Sequence, residues 1–342
     1  RLPALIGDII TEDILWNYAT CRTCEEQCPI FVEVIPKIIE MRRYLVLMES
    51  RMPTEAGRTL RNLQNNGNPW GLARTSRGDW LQKIEARKLA EGEEVEYLLW
   101  VGCFGAFDDR SKAITEATVK VLKAAGVDFG VIGEGETCCG DSARRLGNEY
   151  LYQTLAQENI ETLKAYKFKK IVTACPHCLN ALKNEYPQLG GAVGQPGLSF
   201  EVVHHSQLIA ELVAAGKLKL GTKLAGEAAK VTFHDPCYLG RYQGEFAAPR
   251  AALKAAGAEI VEMPRHGPTS FCCGAGGGRM WLEEDAAHKV NARGAEQALG
   301  TKTGTVVTAC PYCLQMFDDG LKAVGEQRDI TKDVAEIVAK AL

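Results

Sequence analysis

Five cysteines recur twice in this chain at nearly the same spacing, and that duplication restricts its fold more than any other feature. Cys103, Cys138, Cys139, Cys175 and Cys178 form the first set; Cys237, Cys272, Cys273, Cys310 and Cys313 form the second. The first three pairs are offset by 134 residues and the last two by 135, so one inserted residue separates two copies of one template. The flanks agree. Thr173-Ala174-Cys175-Pro176-His177-Cys178-Leu179 matches Thr308-Ala309-Cys310-Pro311-Tyr312-Cys313-Leu314, and Cys138-Cys139-Gly140 matches Cys272-Cys273-Gly274. The run Leu122 to Gly126 recurs as Leu253 to Gly257. A period this long describes two duplicated domains, because solenoid units are shorter.

Each copy reads as the same order of elements. Short apolar runs, Tyr97–Val101 and Val231–Phe233, predict buried strands leading to Cys103 and Cys237. Helical patterns follow over Ser111–Ala125 and Phe246–Ala256, each closed by a glycine, Gly126 and Gly257. Short strands are expected at Val127–Ile132 and Glu259–Met263, then the Cys-Cys-Gly loops, then long helices near Ala143–Tyr166 and Trp281–Leu299. Strands Lys170–Thr173 and Thr305–Thr308 lead into Cys-Pro-x-Cys. Strands alternating with helices imply a parallel sheet covered by helices. Ligands of such sheets gather beyond the carboxyl ends of the strands, where these cysteines fall. Proline after the first cysteine of each Cys-Pro-x-Cys suits a helix's first turn, and a helix N-terminus favours the thiolate, the metal-binding form.

The chemistry follows from counting thiols. With 13 cysteines, an odd number, in 342 residues, a secreted disulfide scaffold is the poorer reading. A single C-x-x-C suits a thioredoxin-type redox pair, and four cysteines suffice for zinc or a cubane cluster. Each of these leaves thiols over. The surplus, twice, points to a larger or less regular iron–sulfur assembly, with zinc and a bare dithiol as the alternatives.

These motifs, C-x34-C-C-G-x34-C-P-H-C and C-x34-C-C-G-x35-C-P-Y-C over residues 95–342, resemble the CCG domains of the heterodisulfide-reductase family of iron–sulfur oxidoreductases. The resemblance implies that each set holds one noncubane [4Fe-4S] cluster. It implies an α/β fold: two duplicated Rossmann-like CCG domains, at 95–226 and 227–342, preceded by a partial helical ferredoxin-like segment at 1–50. Residues 51–94 read as a charge-rich helical linker arm, broken at Gly67-Asn68-Pro69.

The remaining cysteines, Cys21, Cys24 and Cys28-Pro29, fit the tail of the ferredoxin run C-x2-C-x2-C-x3-C-P, with Tyr18 at the first cysteine position. In two-cluster ferredoxins the Cys-Pro cysteine serves the other cluster. The expectation is therefore one or two ferredoxin-type [4Fe-4S] clusters, partly liganded from outside this chain. The chain opens at Arg1 in mid-pattern, which suits a piece of a longer protein. Ile6-Gly7-Asp8, Trp16, the trio, Pro36-Lys37, Met41 to Tyr44 and Asn68-Pro69-Trp70-Gly71 narrow the resemblance to a membrane-anchored branch. Its members carry a haem-binding membrane domain and are proposed to pass electrons between electron-transferring flavoprotein (ETF) and menaquinone. This implies ETF and a membrane haem/quinone domain as partners. The implied location is cytoplasmic, at the inner face of the membrane.

No run of 18 apolar residues spans a membrane here, and a net charge of −3 without a basic stripe makes nucleic acid an unsuitable partner. His234 and Arg241 bracket Cys237 and are candidates to act beside a cluster and tune it. His204 and His205 read as a helix start with Ser206 as N-cap; the sharper reading makes His205 a proton donor near the first cluster. Gly274 to Gly278 lacks the G-x-G-x-x-G spacing, so it reads as backbone passing close to the cluster at Cys272 and Cys273. Trp16, Trp70, Trp80 and Trp100 read as packing.

Three functions fit these residues. The first is electron transfer between a flavoprotein and quinone. The second is reduction of a disulfide held between the two clusters, each supplying one electron. The third is a colourless zinc module.

Overall fold

A computed structural model describes residues 3–189, 201–284 and 289–342. It holds two four-stranded sheets whose hydrogen-bonded pairs all run parallel. The first has β1 (Glu94–Trp100), β2 (Phe129–Gly130), β3 (Lys167–Thr173) and β4 (Glu201–His204) in the order β2-β1-β3-β4. The second has β5 (Lys230–Phe233), β6 (Glu259–Ile260), β7 (Val306–Thr308) and β8 (Thr331–Asp333) in the matching order β6-β5-β7-β8. The predicted duplication is thus repeated in the topology.

Register places the cysteines. Trp100 pairs with Thr173 and Thr173 with His204, so β1, β3 and β4 end level. Cys103 and Cys175 follow the ends of adjacent parallel strands, and Cys237 and Cys310 do the same after β5 and β7. Cys175 and Cys310 are the N-caps of helices that open on Pro176 and Pro311. The apolar strand ends are fully buried at Leu98, Trp100, Ile171, Val172, Val231 and Val307.

Helices Asp109–Ala124 and Ala247–Ala255 stand close to their predicted places. The long helix expected near Ala143–Tyr166 is instead two helices, Asp141–Arg145 and Glu149–Lys164. Gly147 breaks it. Its φ of +88° suits glycine, and a Cβ there would lie 2.6 Å from the backbone of Arg42. The expected strands at Val127–Ile132 and Glu259–Met263 shorten to two residues each, because pairing with β1 and β5 stops there. The helix expected over Trp281–Leu299 runs Val290–Gly300; residues 285–288 of that expectation lie outside the described residues.

The N-cap expected at Ser206 is His204, whose ring accepts from the Ser206 amide while Gln207 Oε1 accepts from the His204 amide. Asp333 caps the equivalent helix Val334–Lys340 in the second half. His205 Nε2 and Asp333 Oδ1 are 2.8 Å apart, so the starts of the two helices meet between the halves. Among the described residues no helix is long and apolar enough to cross a membrane.

Candidate iron–sulfur centres and their surroundings

All thirteen cysteines are free thiols. In the first set the sulfurs form a chain of contacts: Cys103 with Cys138, Cys138 with Cys139, Cys139 with Cys178, and Cys178 with Cys175. In the second set the order is the same: Cys237 with Cys272, Cys272 with Cys273, Cys273 with Cys313, and Cys313 with Cys310. Cys313 Sγ lies 3.3 Å from Cys273 Sγ. Each fold half therefore converges its five thiols beyond one sheet edge.

The donor sets fit an iron–sulfur group. Five soft sulfurs share each site, and the first five line a cavity of about 340 Å³, counting its open mouth, with Tyr312 and His177 in its wall. At the second site His234 lies within 4.8 Å of Cys273 and Cys313, and its buried Nε2 has no hydrogen-bond partner. Hydrogen bonds from Cys138 and Cys178 bring the Cys139 thiol down to about 7 against the cost of burial. Burial pushes Cys310 up, yet contacts with Cys313 and His177 bring it to about 6.

Charged groups distinguish the two sites. Arg77, buried, sets Nη2 3.4 Å and Nη1 3.6 Å from Cys103 Sγ. Glu136 accepts from the Val101 and Gly102 amides at 3.1 and 3.0 Å, fixing the turn that delivers Cys103. Burial raises the Glu136 carboxyl and Arg77 opposes it. Residue Ser270 stands in the second copy where Glu136 stands in the first. Arg77 comes from the 51–94 segment, which also lends the Gly67 carbonyl to the Cys138 amide at 2.9 Å. Periodicity gave no hint of either contact.

The N-terminal trio splits. Tyr18, at the missing cysteine's position, places its hydroxyl 2.5 Å from Cys24 Sγ. Backbone amides of Val32, Ile30 and Phe31 hold the Cys28 thiol below its ordinary range. Cys21 turns the other way, against Cys272, and that contact, with hydrogen bonds from Thr23, brings its thiol to about 5 despite burial. Arg241 holds this junction. Its Nε donates to the Cys21 carbonyl at 2.7 Å and its Nη1 to Ser270 O and Oγ at 3.1 and 3.0 Å. Of the candidates His234, Arg241 and His205, the first faces the second site and Arg241 braces it. His205 bonds to Asp333 and His204, which are not cysteines.

The glycine run corrects its sequence reading. A Cβ on Gly276 would lie 2.3 Å from the Ala19 carbonyl oxygen, and one on Gly277 2.4 Å from that of Tyr18. These glycines admit the N-terminal backbone, while only the Gly274 amide reaches a cysteine, Cys272 Sγ at 3.3 Å. Gly277 also has φ +69°. Gly277→Ala is expected to lift residues 17–21 off the second half, read as faster proteolysis there with both five-cysteine sites still loaded.

The cysteine-rich CCG domain family matches residues 97–183 and 231–318. The chain belongs to the CCG-domain iron–sulfur oxidoreductases. It is 46% identical to an EtfAB:quinone oxidoreductase of Syntrophomonas wolfei and 44% to a probable iron–sulfur-binding oxidoreductase, FadF, of Bacillus subtilis; each alignment covers 99% of this chain and 48% of the relative. It is 31% identical to a subunit of the dihydromethanophenazine:CoB–CoM heterodisulfide reductase of Methanosarcina acetivorans, over 97% of this chain and 78% of that relative. The chain thus spans about half the length of the first two relatives. Among solved structures, a hypothetical protein from Helicobacter pylori shares the fold, with a TM-score of 0.55 and 11% identity over 90% of this chain and 57% of that one.

Proposed function

We propose that this oxidoreductase passes electrons between ETF and the menaquinone pool through two noncubane [4Fe-4S] clusters, one in each five-cysteine site. The observation that carries this reading is the convergence of both complete sets in the same contact order. Cys103, Cys138, Cys139, Cys175 and Cys178 would hold one cluster, and Cys237, Cys272, Cys273, Cys310 and Cys313 the other. A cluster supplies one-electron storage. The chain's own residues then exclude water, since nine of these ten thiols are buried, and place donors and charges beside the sulfurs.

In this reading residues 1–50 are a ferredoxin-like segment in which Cys21, Cys24 and Cys28 hold part of a ferredoxin-type [4Fe-4S] site. Residues 51–94 link it to Rossmann-like domains at 95–226 and 227–342. The ETF-linked name of the Syntrophomonas relative supports ETF as donor, and the membrane haem/quinone domain would lie in the part that this chain does not span. The work would take place at the cytoplasmic face of the membrane. The heterodisulfide-reductase relative supports a second reading, reduction of a disulfide between the sites.

Anaerobically loaded protein mixed with reduced ETF decides between them. Flavin oxidation, with EPR signals of reduced clusters appearing in step, is expected. Flavin that stays reduced, while a heterodisulfide reoxidises clusters that dithionite has reduced, would overturn the first reading in favour of the second.

A further inference from the structure

The variable residue of each Cys-Pro-x-Cys crosses to the other half. His177 sits between first-set ligands Cys175 and Cys178 and borders the cavity of that set, yet its ring also meets the second-set sulfur of Cys310. Tyr312 sits between Cys310 and Cys313, yet it lines the cavity of the first five thiols.

The two rings stack on each other, with centroids 4.2 Å apart and planes at 23°. Tyr238 covers the other face of His177 at 3.9 Å and 24°. Phe104 leans on Tyr312 at 4.6 Å with the planes tilted by 48°. Phe104 and Tyr238 each follow the first cysteine of their set. The four-ring column Tyr238–His177–Tyr312–Phe104 therefore reads the same from either half under the repeat.

Its centre is not chemically symmetric. His177 Nδ1 and Asp141 Oδ2 are 2.9 Å apart, and the position equivalent to Asp141 is Ala275. Tyr312 instead pairs its hydroxyl with Ser142 Oγ at 3.2 Å. Two ring faces and the Asp141 carboxylate thus hold His177 in a single pose. A ligand sulfur only accepts hydrogen bonds, so an imidazole against Cys310 acts there as donor, and donation to a ligand sulfur raises a cluster's potential.

We propose that His177 and Tyr312 are crossed positioning residues: each is supplied by one half to tune the cluster site of the other. The two sites thereby differ in potential and act as one joined unit. The inference rests on the iron–sulfur reading of both sites.

The test is a potentiometric EPR titration of the anaerobically loaded chain. Cys178→Ala and Cys313→Ala first identify which signal belongs to which site. His177→Phe keeps the ring and removes the donor. It is expected to shift the second-site midpoint downward by more than the first-site midpoint, although the substitution lies between first-site ligands. Tyr312→Phe is expected to alter the first-site signal and spare the second. Effects confined to the site whose own ligands flank the substitution would overturn the inference, as would equal shifts at both sites or none. Loss of iron from both sites in both variants would also overturn it, because a purely structural core gives that result. Wild-type protein free of iron and sulfide fails the parent reading; wild-type protein loaded with iron, with same-side effects, fails the crossing alone.

Discussion

Cys139→Ser is expected to remove one cluster and spare the other. Cys139 stands in the middle of the first thiol chain, between Cys138 and Cys178, so no neighbouring sulfur replaces it. Of the roughly eight irons that two such clusters would hold, about four should go, together with an equal share of acid-labile sulfide and one of two EPR species. The second set draws its five sulfurs from the other sheet and should keep its iron. Equal loss from both sites would mean that the sets share one metal assembly. Zinc without sulfide in the parent protein would turn the repeat into a structural scaffold.

Acid should act on the same residues. Protons compete with metal for thiolates. Cys139 lies near 7 and Cys310 near 6, so each is a thiolate above its value and a thiol below it. Reconstitution is therefore expected to fall at both sites as the pH drops from about 7 through 6. Iron bound per chain after anaerobic reconstitution at each pH, resolved by EPR, checks this.

The parallel sheets and the convergence of the ten cysteines were legible because they depend on local pattern. An apolar run must be a buried strand, a Pro after Cys suits a helix start, and parallel strands bring their carboxyl ends to one edge. The helix broken at Gly147 was not legible, because its cause is the backbone of Arg42, 105 positions earlier in sequence. The glycine run points to the wrong neighbour on the same ground: proximity in sequence to Cys273 suggests a cluster, and the close approach is that of Tyr18 and Ala19. Arg77 carries no signal at all within its charge-rich segment. His177 carries one that points away from itself. Its replacement by Tyr312 in the other copy suggests indifference to the residue type, whereas the two are stacked partners across the repeat and need not be alike.

Arg42→Ala is expected to release the N-terminal segment. The Arg42 side chain is fully buried and donates to four carbonyls from three parts of the chain: Leu15, Tyr18 at 2.8 Å, Arg145 at 2.8 Å and Gly277 at 2.6 Å. Burial lowers its guanidinium to about 9, which is still charged at neutral pH. A forked five-donor group can satisfy carbonyls in several directions at once, which a lysine ammonium of the same charge does less well. Alanine leaves those carbonyls without partners, at about 1–3 kcal/mol each before water enters the space. A net local cost of about 3 kcal/mol corresponds to roughly a hundredfold more opening of the segment. Because Tyr18 and Gly277 share this clamp, Cys21 should lose its place against Cys272 while the ten CCG thiols keep theirs. Limited proteolysis should then cut within residues 3–50 far faster than in the parent, with both CCG signals intact and Arg42→Lys falling between. Unchanged cleavage would show that the glycine seat and Arg241 hold the segment without the clamp. Loss of CCG iron would show that the clamp organises the duplicated body itself.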